Sequence, residues 1–125
     1  MMGSAKKWYV VDGWLPPSEE TGNVGYESHE ALIILNNNDV DAHLNMTVYF
    51  EDREPIRAIP LAVPANRVKC FRTDHPEQIG GVVLDRQVQY AIQIEGNIDV
   101  VVQFGRMDVT QSNLAYIGVM GHSTS

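Results

Sequence analysis

Leu44-Asn45-Met46-Thr47-Val48-Tyr49-Phe50-Glu51 alternates apolar and polar side chains without a break. Successive side chains of a strand point to opposite faces, so this period of two predicts a β-strand with one face on a core. Upstream, Ala31 to Leu35 is a continuous apolar run, read as a strand buried on both faces, and Asn36 to Asp41 is a turn cluster. Lys7 to Asp12 is rich in β-formers and is stopped by Gly13 and Pro16-Pro17. Ser18 to Gly25, with Glu19, Glu20, Gly22 and Asn23, is expected to be a loop.

Downstream, Asp52-Arg53-Glu54-Pro55 forms a charged turn. Ile59 to Val63 follows as a strand whose Pro60 cannot donate to a ladder and so belongs at an edge or bulge. Arg67 to Arg72 carries cations on both faces, the pattern of a strand near an edge or an interface. Asp74 to Gly81 reads as a loop and Val82 to Leu84 as a short strand. Gln89 to Glu95 alternates up to a turn at Gly96-Asn97, and Val100 to Phe104 begins a separate strand. Leu114 to Met120 is a last apolar segment, strand or short helix.

About eight or nine short strands between regular turn signals predict an all-β protein, a β-sandwich of jelly-roll or Greek-key type. The expected layout is one domain over 1–125, with 1–6 a polar lead-in and 121–125 a tail.

The 44% hydrophobic content is that of a globular domain, and no apolar run approaches the ~20 residues of a membrane-spanning helix. The N-terminal residues lack a signal-peptide core. Cys70 has no partner for an internal disulfide, in keeping with a reducing compartment, and the chain is read as cytoplasmic. A net charge of −7 disfavours nucleic acid, whose phosphates require a basic face. Asn45-Met46-Thr47 matches a glycosylation sequon, but inside a strand of an unexported chain the match is chance.

Trp8 with Gly13 and Pro16-Pro17, then Ser28-His29-Glu30, Leu35-Asn36, Asp41-Ala42-His43 and Glu54-Pro55 form an ordered series over most of the chain. Val63-Pro64-Ala65 with Arg67, and Val101-Val102-Gln103 with Arg106 and Asp108, continue it. In this order the residues resemble the sensory rhodopsin transducer family. The resemblance implies a small cytosolic β-sandwich that assembles as a homotetramer, with a fold similar to carbohydrate-binding and jelly-roll domains. It further implies a binding domain for a small, sugar-like molecule, in a family whose named member couples a sensory rhodopsin to downstream signalling.

The densest polar group is Glu27-Ser28-His29-Glu30, at the mouth of the Ala31 strand. Strand alternation divides it, putting Glu27 and His29 on one face and Ser28 and Glu30 on the other. His29, His43, His75 and His122 do not converge with metal-ligand spacing, and no cupin-type histidine pair is present, so no metal and no cofactor is expected. Cys70, mid-strand, reads as packing rather than as a nucleophile. A polyol is recognised by planar bidentate partners and an aromatic ring. Glu30, Asn36, Arg67 and Gln103 offer the first and Trp14 the second, while Trp8 is expected in the core. With Ser28, His29 and Arg106, these residues make up the candidate ligand-binding set, against which stands a purely structural ion-pair network.

The leading expectation is therefore a non-catalytic binding module for a small polar metabolite, oligomeric and inserted in no membrane. The alternative is a protein–protein signalling adaptor for a membrane receptor such as a sensory rhodopsin. A minor alternative is an enzyme of sugar metabolism with His29 or Glu30 as general base.

Overall fold

The computed structural model describes residues 5–18, 27–109 and 115–124. It is all-β, with eight strands among these residues: β1 (Ala5–Trp14), β2 (His29–Asn36), β3 (Ala42–Phe50), β4 (Ile56–Val63), β5 (Arg67–Arg72), β6 (Gln89–Asp108), β7 (Ala115–Met120) and β8 (His122–Thr124). A single 3-10 turn, Pro76–Gln78, follows β5. Every strand pairing is antiparallel.

Two sheets share β6. Its first half lies between β3 and β1 in the order β4-β3-β6-β1-β8. Its second half lies between β2 and β7 in the order β5-β2-β6-β7. The turn expected at Gly96-Asn97 is thus no chain reversal. Opposite it, β1 advances only from Ala5 to Lys7 while β6 runs from Val100 back to Glu95. The surplus residues bulge, and a bulge bends and twists a strand enough to carry it from one sheet into the other. Gly and Asn mark the bend because they accept irregular backbone. Asn97 also accepts the His43 amide at 2.8 Å through its Oδ1.

The alternation that opened the reading of the sequence sets the core. Leu44, Met46 and Val48 of β3 face inward with Val10, Ile92, Ile94 and Leu61, opposed by Leu32, Ile34, Val102 and Phe104 of the second sheet. Trp8 is buried and its indole N–H is shared between the carbonyls of Ala5 and Val100, both at 3.0 Å. Leu15, Ile79 and Leu84 close one end.

Several expectations need correction. β2 is fully buried on one face only: Leu32 and Ile34 are fully covered, while on the other face burial fades from Ala31, which is buried, through half-buried Ile33 to Leu35, which is 41% exposed. Val82–Leu84 forms no strand; left-handed Gly80 and Gly81 precede it and turn the chain away from any ladder. β1 begins at Ala5, within the stretch read as lead-in, and His122–Thr124, read as tail, pairs with Lys7 to Tyr9. The 115–120 segment is a strand. The loop expected over Ser18 to Gly25 lies, apart from Ser18, outside the described residues, as does Leu114.

Candidate functional site

Even-numbered residues of β2 point inward, so Ser28 and Glu30 are fully buried while His29 faces the other way and is half-buried. A carboxylate taken out of water is tolerated only with partners for its charge and lone pairs. Glu30 has them from two strands, β1 and both ends of β6. The Trp14 amide at the end of β1 donates to both carboxylate oxygens at 3.0 Å. Tyr90, at the start of β6, donates its hydroxyl to Oε1 at 2.6 Å. Arg106, directly opposite Glu30 on β6, donates Nε–H to Oε2 at 2.8 Å.

Each partner is held in turn. The Tyr90 hydroxyl lies 3.1 Å from Thr73 Oγ1, and the ring fills the space that a Cβ on Gly13 would occupy. Thr73 is tied by its amide to the Glu30 carbonyl at 3.0 Å. Burial, followed by the nearby Glu30 charge, pushes the Tyr90 phenol well above its ordinary value, so the hydroxyl remains a donor. Arg106 Nη2 donates to the Asp12 carbonyl at 3.0 Å, and the guanidinium carbon sits 5.9 Å from the centre of the Trp14 ring.

A second cluster braces the same end. Asp74, with its side chain only 2% exposed, accepts Nε and Nη2 of Arg72 at 2.7 and 2.6 Å. Burial is the largest influence on the Asp74 carboxyl and acts to raise it. The Arg72 hydrogen bonds and charge, with His75 adding, outweigh that and hold it below the usual carboxylate value. Arg86 lies 3.8 Å from Asp74 and donates through Nη1 to the carbonyls of Pro16 and Ser28, each at 2.9 Å. The Ser28 hydroxyl accepts the Val109 amide at 2.9 Å.

The residues named from sequence thus separate. Trp14, Ser28, Glu30 and Arg106 gather at one end, with His29 on the outer side of the same strand, where its Nδ1 lies 3.0 Å from the Glu27 carbonyl. Asn36 sits six residues along β2, about 20 Å away. There its amide nitrogen donates to the carbonyls of Val40, Val63 and Pro64, and its oxygen accepts from Asn38. Arg67 is exposed at that far end and bonds the Asn66 carbonyl, while Gln103 is exposed on the outer face of the second sheet. One pocket does not join all eight.

Sequence reading missed Tyr90, Thr73, Asp74, Arg72 and Arg86. Only the Arg72-Thr73-Asp74 spacing signalled anything, since residues two apart on an extended chain share a face. No buried side-chain nitrogen or oxygen among the described residues lacks a hydrogen-bond partner, and no group of three or more metal-ligating side chains is found among them. Chemically the end cluster is a closed ion-pair and hydrogen-bond network. Beside it, between β1 and β7, lies an open cleft of about 370 Å³ lined by Val10, Val11, Asp12, Val119, Met120 and His122.

Comparison with known proteins adds a family. The model of the family described as Anabaena sensory rhodopsin transducer matches residues 3–123. Among solved structures, the crystal structure of Thermotoga maritima 1070 is similar at 28% identity and a TM-score of 0.83, over 99% of this chain and 97% of that one. The Anabaena sensory rhodopsin transducer is similar at 33% identity and a TM-score of 0.62, over 79% of this chain and 85% of that one. No curated protein matches. With a family model spanning nearly its whole length and the same sandwich in both solved relatives, the chain belongs to the sensory rhodopsin transducer family.

Proposed function

We propose that this protein is a non-catalytic signalling adaptor that acts in the cytoplasm through protein–protein contacts, as a homo-oligomer of tetrameric order. A membrane receptor of the sensory rhodopsin kind is its upstream partner. One observation carries the reading: Glu30 and Arg106, the buried charges that sequence pointed to, are engaged with each other, whereas four large apolar side chains of β7 are exposed. Water-exposed apolar strands of that size mark contact surfaces. Family membership and the name of the Anabaena relative support the signalling role. No helix among the described residues is long and apolar enough to cross a membrane, which agrees with a receptor supplied by another chain.

The test is co-purification of the tagged chain with solubilised membranes of its native host. Recovery of a seven-helix retinal protein, lost when Ile117 and Val119 are both replaced by Ser, is expected. Recovery of no membrane protein at all would remove the receptor from the proposal.

A second reading, a binding module for a small sugar-like metabolite, is favoured by the cleft of about 370 Å³ beside Asp12, because ligand pockets begin at about that size. Trp14 and Arg106 border the same end of β1 and would present a ring and a planar guanidinium to a polyol. Thermal unfolding in the presence of millimolar sugars and sugar acids checks it, since a ligand that binds the folded state raises the midpoint. An unchanged midpoint across the set rejects this reading and leaves the adaptor standing.

A further inference from the structure

β1 and β6 fall out of step near the end of the sandwich that holds Glu30. Val10 pairs with Ile92 and Gly13 with Tyr90, so Val11 and Asp12 of β1 together stand opposite Ala91 alone. A bulge of this kind re-aims side chains and interrupts the even pleat of a sheet. On its other side Ala91 pairs with Tyr49 of β3. Leu44, Met46 and Val48 point into the core, so Tyr49 and Ala91 lie on the outer face of the first sheet. There a methyl group sits between a tyrosine ring and Val11, which is 63% exposed. The small residue between two large ones leaves a hollow of about 160 Å³, lined by Tyr49, Ala91 and Val11 and bordered by Glu51 and Gln89.

The polar groups around the hollow are engaged, with one exception. The Tyr49 hydroxyl donates to Gln93 Oε1 at 2.6 Å, which holds the ring in place. Gln89 Nε2 donates to Asp12 Oδ1 at 3.0 Å and to the Gly13 carbonyl at 3.1 Å. Glu51 makes no side-chain hydrogen bond or ion pair among the described residues. Its neighbour Arg53 turns away, bonding Asp52 at 3.1 Å and lying over the Phe50 ring. No lysine or arginine lines the hollow.

We propose that this hollow binds a small primary amine whose apolar body is about one ring in size, with its ammonium on Glu51. The space sets the size, since a cavity of about 150 Å³ takes a benzene ring. The carboxylate sets the charge, because an ammonium donates to it in a charge-assisted bond and gains further from a nearby tyrosine ring. A net charge of −7 draws a cation in and turns an anion away. The hollow shares only Val11 with the cleft between β1 and β7, so the proposal depends on neither reading above.

Benzylamine, benzyl alcohol and benzoate, which differ little in size but carry opposite or no charge, test it against the whole chain by NMR of the backbone amides. Benzylamine is expected to shift Val11, Glu51 and Ala91 saturably, with the alcohol about threefold or more weaker and benzoate weaker still. Raised salt should narrow the gap between amine and alcohol. Glu51→Gln should bring the amine down to the level of the alcohol, and Ala91→Leu, which fills the hollow, should remove saturable binding of both. Circular dichroism checks that both variants keep the fold. Equal binding of amine and alcohol by wild type, or amine binding unchanged by Glu51→Gln, would overturn the role of the carboxylate and with it the ligand class. Binding that survives Ala91→Leu, shifts centred on Met120 and His122, or no saturable shift at all would overturn the site.

Discussion

Oε2 of Glu30 and Nε of Arg106, 2.8 Å apart on paired positions of β2 and β6, form the ion pair on which one end of the sandwich is assembled. Glu30 is fully buried and the Arg106 side chain is only 25% exposed, so each needs the other far more than a surface pair would. Arg106→Ala is expected to lower the unfolding free energy by about 3–5 kcal/mol, because it strands a carboxylate in the core. The double variant Glu30→Gln/Arg106→Met should cost less than the sum of the two single changes. Urea unfolding at one fixed protein concentration measures wild type, Arg106→Ala, the two single changes and the double, and a loss under ~1 kcal/mol for Arg106→Ala would contradict a structural role.

Tyr90 predicts an alkaline limb. Its folded phenol is raised by burial and then by the Glu30 charge, so its contribution is complete below the unfolded tyrosine value of about 10. As pH climbs past that value toward the raised one, the unfolded chain releases a proton that the folded chain retains, and stability falls. Stability should therefore decline more steeply above pH ~10 in wild type than in Tyr90→Phe. Parallel alkaline limbs for the two chains would show that the buried phenol is not linked to folding.

Asp74 predicts the acid limb with the opposite sign. Although burial alone would raise its carboxyl, the Arg72 fork lowers it, so the stabilisation is present above the unfolded aspartate value of about 4. It is lost as pH falls from there through the lowered folded value. The stability gap between wild type and Asp74→Asn should be constant near neutrality and shrink below pH ~4. A gap that widens in acid would mean that the group titrates the other way.

The strands were legible where alternation was strict, as in β3, because a two-residue period maps directly onto a buried and an exposed face. β6 was not, because Gly96-Asn97 signals irregular backbone without saying whether the chain reverses or bulges. That is decided by the unequal advance of β1, a long-range fact. The division of Ser28 and Glu30 from His29 was legible for the same reason as β3. The partners of Glu30 were not, since Trp14, Tyr90 and Arg106 lie 16, 60 and 76 residues away and sequence distance carries no sign of contact. Asn36 and Arg67 were grouped with Glu30 by chemistry alone, and strand length separates them.

Gly13 tests whether the network is built on close backbone approach. A Cβ there would enter the space held by Cε2, Cζ and Cδ2 of the Tyr90 ring, so Gly13→Ala must push the ring aside or bend β1. Moving the ring pulls its hydroxyl away from Glu30 Oε1, and bending β1 pulls the neighbouring Trp14 amide from the same carboxylate. Either response adds the loss of a charge-assisted hydrogen bond to the overpacking, for an expected cost of about 2–4 kcal/mol. In a Tyr90→Leu background the ring is gone, so the same Gly13→Ala change should cost about 1 kcal/mol or less. Equal costs in the two backgrounds, measured by urea unfolding, would show that Gly13 is required by its own backbone and not by Tyr90.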